Sequence, residues 1–310
     1  MRPLTNPLLG LALLIGACQP DRPGEAEPSS VEVRSIQPEA TCFRALFRCE
    51  ERADRTEVVD VSPLGQVLLG EPLPVPPNGT FRLEYRVTLL DEEGAPVPAL
   101  LPDTLQDARF SPDGRSLAVL DRAGDLSVVG LGSGRKAEID TEVFPGFAFS
   151  PDGTLLAYAK GDAPFLDAYL HDLRAGTSRQ LTFDQVPTWG FAFSPDQRTL
   201  AFVYSPLGFS SLYTLGLSGG EPKPWTNVGV TRDSMRAGRA LAPIPDSRKP
   251  PLWLSGGLVF EGSGGVHAIG ADGAVAWASP GARSVFRASD DEVHYVADGL
   301  TWSATLRASP

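Results

Sequence analysis

The chain has 310 residues and carries 27 Lys and Arg against 38 Asp and Glu, a formal net charge of −11. That sign repels phosphate-rich partners, so nucleic acid is not an expected ligand, and it weighs against docking on anionic lipid through a basic face. With three His and three Cys in the sequence, no Cys-x-x-Cys-His string and no zinc-ligand spacing, neither haem nor metal is expected, and no cofactor.

Residues 1–17 read as a secretory signal, with one charge at Arg2, an apolar run from Leu8 to Ile15, and the small residues Gly16 and Ala17 before Cys18. The run is too short to span a bilayer. Ile15-Gly16-Ala17-Cys18 resembles the lipobox of bacterial lipoproteins. The resemblance implies cleavage before Cys18 and acylation of that residue, with membrane association through the lipid anchor only. Several acyl chains would hold stably, since each buried methylene contributes about 0.8 kcal/mol. An ordinary signal peptide that happens to contain a cysteine is the alternative. Gln19 after the cysteine, rather than Asp, is similar to sorting signals for the outer membrane. The implied address is the bacterial envelope, facing the periplasm or the cell surface. Residues 18–30 are rich in Pro, Glu, Ser and Gly and read as a disordered tether.

The folded part begins near Val31 and runs to residue 310 as one domain. Within the leader, residues 31–60, Val31 to Ile36 alternate as a strand does. This segment either closes a ring of sheets or packs as a small appendage. Cys42 and Cys49, with six residues between them, would close a small disulfide loop in an oxidising compartment.

One phrase then recurs, at Phe110-Ser111-Pro112-Asp113-Gly114, Phe149-Ser150-Pro151-Asp152-Gly153 and Phe193-Ser194-Pro195-Asp196-Gln197, with copies 39 and 44 residues apart. Proline presets φ, Ser and Asp accept backbone hydrogen bonds and Gly suits the exit, so each copy reads as a hairpin corner. An apolar stretch follows each corner (Leu117 to Leu120, Leu155 to Ala159, Leu200 to Tyr204), as in a strand buried on both faces. About twenty residues on comes a second landmark, an alternating strand ending in a Gly turn: Leu126 to Leu131 before Gly134, Tyr169 to Leu173 before Gly176, Leu212 to Leu217 before Gly219. Ile139, Leu181 and Trp225 then start an outer strand.

The combined pattern resembles the TolB-type β-propeller repeat, related in shape to WD-repeat blades, over residues 105–227. The fold expected is all-β, a propeller of about six four-stranded blades. Val61-Ser62-Pro63-Leu64-Gly65 is a worn corner, a fifth blade around Leu258 to Phe260 lacks the motif, and a sixth from Val285 to Leu306 looks one strand short.

The period breaks at residues 228–251, a long insertion carrying Arg232, Arg236, Arg239, Arg248 and Lys249 against Asp233 and Asp246. Long excursions from a rigid scaffold often carry binding. This one reads either as a basic lid that receives an acidic peptide, glycan or partner, or as a solvated Pro-rich loop. No Gly-x-Ser-x-Gly elbow is present. His171, His267 and His294 each sit in a strand pattern, and the acidic runs at Asp91 and Asp290 fall at turns without calcium-loop spacing. No catalytic residue stands out. A non-catalytic scaffold binding an envelope protein, peptide or glycan is therefore expected, with a carboxylate-based lyase or hydrolase in the central funnel, or a structural envelope component, as alternatives.

Overall fold

The computed structural model describes residues 30–35, 57–74, 84–98, 101–205, 211–225, 249–262, 264–270, 275–287, 290–297 and 300–307. The signal, Cys18, Cys42, Cys49, Arg232, Arg236, Arg239 and Arg248 lie outside the described residues.

The described elements are all strands, arranged as six blades of antiparallel sheet. The N-terminal strand β1 (Ser30–Ser35) belongs to the last of them. Blade 1 comprises β2 (Glu57–Val61), β3 (Val67–Pro72) and β4 (Tyr85–Leu90). Blade 2 is β5 (Thr104–Phe110), β6 (Ser116–Asp121), β7 (Leu126–Gly130) and β8 (Lys136–Asp140). Blade 3 is β9 (Val143–Phe149), β10 (Leu155–Asp162), β11 (Phe165–Asp172) and β12 (Thr177–Gln180). Blade 4 is β13 (Thr188–Phe193), β14 (Thr199–Tyr204), β15 (Ser211–Gly216) and β16 (Lys223–Pro224), and blade 5 is β17 (Leu252–Leu254), β18 (Gly257–Gly262), β19 (Gly265–Gly270) and β20 (Val275–Pro280). Blade 6 holds β21 (Arg283–Arg287), β22 (Glu292–Ala297) and β23 (Leu300–Arg307), and β1 pairs antiparallel with β23 as its fourth strand, from Ser30 on Arg307 to Ser35 on Trp302.

First strands of successive blades touch around the centre, β2 to β5, β5 to β9, β9 to β13 and β13 to β17, while β21 meets β18 on one side and β2 on the other. The ring is closed. In blade 1 the outer strand is reduced to a bridge between Leu90 and Pro96, and the start of β5 pairs with the rest of the β4 edge. The outer strands β8 and β12 are polar and largely exposed. Leu181, buried, and Trp225, half-buried, follow β12 and β16 rather than starting them, because the apolar residue comes where the chain turns inward to the next blade.

The corners join the first and second strands of a blade. In each full copy the Ser hydroxyl donates to the Asp carboxylate: Ser111 to Asp113 at 2.6 Å, Ser150 to Asp152 at 2.7 Å, Ser194 to Asp196 at 2.6 Å. Backbone N–H groups of Arg115, Thr154 and Arg198 donate to the same carboxylates. The Ser111 hydroxyl, followed by the Arg115 N–H, holds the Asp113 carboxyl below its usual range. These aspartates are consumed by their turns.

Corners also touch one another. A side chain at Gly114 would start 2.8 Å from Leu64 Cγ of the preceding corner, and φ there is +69°. Gly114→Ala should cost about 1–2 kcal/mol in urea unfolding, from the left-handed backbone and the clash together. Adding Leu64→Ala should return the clash part and leave the backbone part.

Second strands make the core. Leu117 to Leu120, Leu156 to Ala159, Leu200 to Tyr204 and Leu258 to Phe260 are all buried, since each faces a neighbouring blade on either side. Apolar clusters accordingly bridge blades. One joins Leu120 and Leu126 to Phe147 and Tyr158; the next joins Ala157 and Leu170 to Phe191 and Phe202. At about 1.5–3 kcal/mol per fully buried large side chain, these inter-blade layers hold the ring together.

Candidate functional site

The first strand of a blade has to leave its hairpin register to curve round the centre, and irregularities mark the switch. Register shifts fall between Val58 and Asp60 on β2 and between Leu105 and Asp107 on β5. A bulge of this kind re-aims a side chain and frees backbone groups. Here the re-aimed side chains are aspartates. Asp60 Oδ2 accepts from the N–H of Phe110 on β5 at 2.7 Å, and Oδ1 from Val61 N–H at 2.9 Å. Asp107 Oδ2 accepts from the N–H of Gly146 on β9 at 2.8 Å. Each carboxylate thus ties one central strand to the next.

Arg109 supplies the balancing charge. Its Nη1 lies 2.9 Å from Asp107 Oδ1 and donates to the carbonyls of Ala108 at 2.7 Å and Val59 at 3.1 Å. Asp107 is 3 % exposed on its side chain and Arg109 10 %. Burial outweighs the attraction of Arg109 and raises Asp107 to about 6; burial likewise raises Asp60 against the pull of Arg109.

Beside this cluster the channel wall opens into a cavity of about 80 Å³. It lies between Val59 and Asp60 of β2, Arg109 of β5, Lys249 and Leu252 at the entry to blade 5, and Phe286 of β21. Lys249, the last cation of the insertion, reaches the central wall and pairs with Glu261 of β18 at 2.7 Å. The cavity is small and largely apolar, with charged groups that already have protein partners. It suits the tip of an apolar side chain or a small ring better than a polar reactant.

The histidines are placed on three different blades. His171 Nδ1 lies 2.8 Å from Ser178 Oγ, which is 2.9 Å from the Tyr158 hydroxyl, and Tyr158 donates to Asp140 Oδ2 at 2.7 Å. Burial opposes ionisation of Asp140, but Lys160 and Tyr158 more than offset it and its carboxyl lies below the usual range. The single Tyr158 proton therefore goes to Asp140, Ser178 donates to Tyr158, and His171 donates through Nδ1. Burial lowers the pKa of that imidazole against the opposing pull of Asp140 and Asp172. The row locks β8 of blade 2 onto blade 3. His267 packs against Phe260 with ring centroids 5.8 Å apart, and His294 Nε2 lies 3.4 Å from Glu292 Oε1. Asp91 accepts from Glu93 and Ala95 N–H groups in its turn, and Asp291 pairs with Arg307. Among the described residues no three His, Cys, Asp or Glu side chains are grouped so as to hold a metal ion.

Asp60, Asp107 and Arg109 were not singled out by spacing or motif. Their signal is charge in the wrong place: Asp60 lies two residues before a Ser-Pro corner, and Asp107 and Arg109 four and two before another, inside segments whose neighbours must be buried.

No protein-family profile matches the chain, and no curated protein matches it in sequence. Among solved structures, TolB of Acinetobacter baumannii is similar at 14 % identity with a TM-score of 0.49, over 78 % of this chain and 64 % of that one. The chain thus spans less than two thirds of that TolB. A putative TolB of Agrobacterium tumefaciens is similar at 18 % identity and a TM-score of 0.47, over 93 % of this chain and 100 % of that one. A gluconolactonase of Xanthomonas campestris is similar at 16 % identity and a TM-score of 0.55, over 92 % of this chain and 98 % of that one. The gluconolactonase likeness, at 16 % identity, concerns architecture alone, and with the six-bladed ring described above it identifies the chain as a β-propeller.

Proposed function

We propose that this chain is a lipid-anchored propeller of the bacterial envelope that captures a protein, peptide or glycan without transforming it. The observation that carries the reading is the use made of the channel carboxylates. Asp60 and Asp107 spend their oxygens on backbone N–H groups and on Arg109, so the groups best placed for acid–base work are holding strands together. A general acid or base needs a free face toward the substrate. Anchoring through acyl-Cys18 would leave the whole ring available for a partner, with Lys249 at the channel and Arg232, Arg236, Arg239 and Arg248 of the same insertion as further candidate contacts.

A second reading rests on one specific feature, the raised pKa of Asp107 and Asp60 next to a cavity. It makes the chain a hydrolase or lyase of the funnel.

Both parts are testable. Cells fed labelled palmitate should yield labelled protein, and Cys18→Ala should abolish the label and release the protein from the membrane fraction; unlabelled wild type removes the anchor. Purified protein should leave peptides, polysaccharides and sugar lactones unchanged while retaining a stoichiometric envelope partner. Turnover that disappears in Asp60→Asn would replace capture by catalysis.

A further inference from the structure

The large apolar side chains exposed among the described residues are Leu64, Phe165 and Phe183, at 53 %, 61 % and 77 %. Leu64 fills the space left by Gly114 of the neighbouring corner. The two phenylalanines have no such excuse; Phe165 belongs to blade 3 and Phe183 to the connection that leaves it for blade 4.

Both lie toward the same end of blade 3. Phe165 opens β11 opposite Asp162, straight after the turn from β10. Beyond β12 the chain keeps running beside β11 toward its start: Leu181 N–H donates to the Ala168 carbonyl at 2.7 Å, and Ala168 N–H to Thr182 Oγ1 at 2.9 Å. The next residue is Phe183, which brings it level with the opening residues of β11.

Neither phenylalanine sits on a slack loop. Asp167, buried, accepts from Thr182 Oγ1 at 3.0 Å and from Gln185 N–H at 3.2 Å, pinning the segment on both sides of Phe183. The Gly161 N–H donates to the Glu142 carbonyl at 3.1 Å, tying the Phe165 turn to the connection from blade 2. An aromatic held rigid in water gives up little conformational entropy when it is covered, as binding anchors do.

The charge around them is mainly acidic, and Arg122 of the adjoining turn from β6 to β7 pairs with Glu84 at 3.1 Å. The three loops at this end, residues 141–142, 161–165 and 182–187, contain Glu142, Asp162 and Asp184 and no Lys or Arg. All three acids are exposed. Lys160 just below is engaged with Asp140.

We propose that this end of blade 3 is a docking surface for a cationic, amphipathic segment of a partner protein, with Phe165 and Phe183 as apolar anchors and Glu142, Asp162 and Asp184 facing its Lys or Arg side chains. Charge complementarity selects this occupant: an acidic peptide is repelled, and a neutral apolar one leaves Glu142, Asp162 and Asp184, the last already accepting from the Tyr204 hydroxyl, without a cation. The inference rests on the capture reading but uses residues other than Asp60, Asp107, Arg109 and Cys18, so its failure leaves labelling and turnover results untouched.

The test uses the full-length protein and a labelled 12-residue peptide of alternating phenylalanine and lysine pairs, read by fluorescence anisotropy. Phe165→Ser with Phe183→Ser should weaken binding at least tenfold with an unchanged melting curve. Glu142→Gln, Asp162→Asn and Asp184→Asn together should weaken it similarly. Removing the same charge at Asp91, Glu92 and Glu93, in a turn of blade 1, should change affinity less than twofold. Equal losses in the two charge variants, full binding by the serine variant, or no binding of the lysine peptide overturns the proposal. So does a wild-type dimer in sedimentation that the serine variant abolishes, which would assign the surface to a second copy.

Discussion

Arg109→Ala is expected to destabilise the fold by about 3–5 kcal/mol, because it leaves two buried carboxylates without the cation between them. The loss should be read as a fall in urea midpoint at pH 7.5. It should also change with pH in a defined direction. Asp107 sits near 6 in the fold against an ordinary value of 3.8. A group raised on folding contributes most when protonated in both states, below about pH 4, and that contribution disappears as pH rises through 6. In the wild type the difference is on the order of 3 kcal/mol. Without Arg109 the carboxyl rises further, so the variant should recover part of its deficit on going from pH 7.5 to 5. Asp107→Asn added to Arg109→Ala should flatten that dependence and restore part of the stability, since the amide oxygen still accepts from Gly146. A pH-independent deficit would mean that the guanidinium acts by packing alone. At still lower pH the corners pull the other way. The Asp113 and Asp196 carboxyls are held below their usual range by the Ser111 and Ser194 hydroxyls, and their contribution is lost as pH falls through those lowered values.

Phe202→Ala should cost about 3–5 kcal/mol, the range for emptying a fully buried aromatic site. Phe202 is 0 % exposed on β14, stacks on Phe191 at 5.8 Å and meets the edge of Tyr204 at 5.8 Å. It stands in the layer that joins blades 3 and 4, so the damage falls on contact between sheets and leaves the pairing of β14 with β15 in place. Phe202→Leu, which keeps most of the volume, should cost about 1 kcal/mol. Equilibrium unfolding of both variants checks the pair; equal costs would show that the aromatic stacking, and not the volume, carries the layer.

The corners were legible because their chemistry is local. Ser111, Pro112, Asp113 and Gly114 satisfy one another within five residues, and the same is true at Ser150 and Ser194. Where the phrase has decayed, part of the bonding survives: at the worn corner Ser62 Oγ still accepts from the N–H groups of Leu64 and Gln66 at 3.1 Å each. Blade 5 turns instead on Gly256, where a side chain would start 2.5 Å from the Arg307 backbone, a contact with no trace in nearby sequence. The channel was illegible for the same reason. Asp60 and Asp107 earn their place through partners 50 and 39 residues away, and only their presence among buried neighbours betrays them. The outer strands were misplaced by a few residues because their polar faces carry no burial pattern to mark where pairing begins.

Pairing Ser30 with Arg307 makes the seam of the ring the contact of longest sequence separation. A chain synthesised from its N-terminus delivers β1 long before β23, so β1 waits through almost all of synthesis with neither edge satisfied. Closing so long a loop is slow. Until it closes, the bare edge of β23 can accept the same strand from another molecule, and exchange of β1 between copies is the misassembly this topology invites.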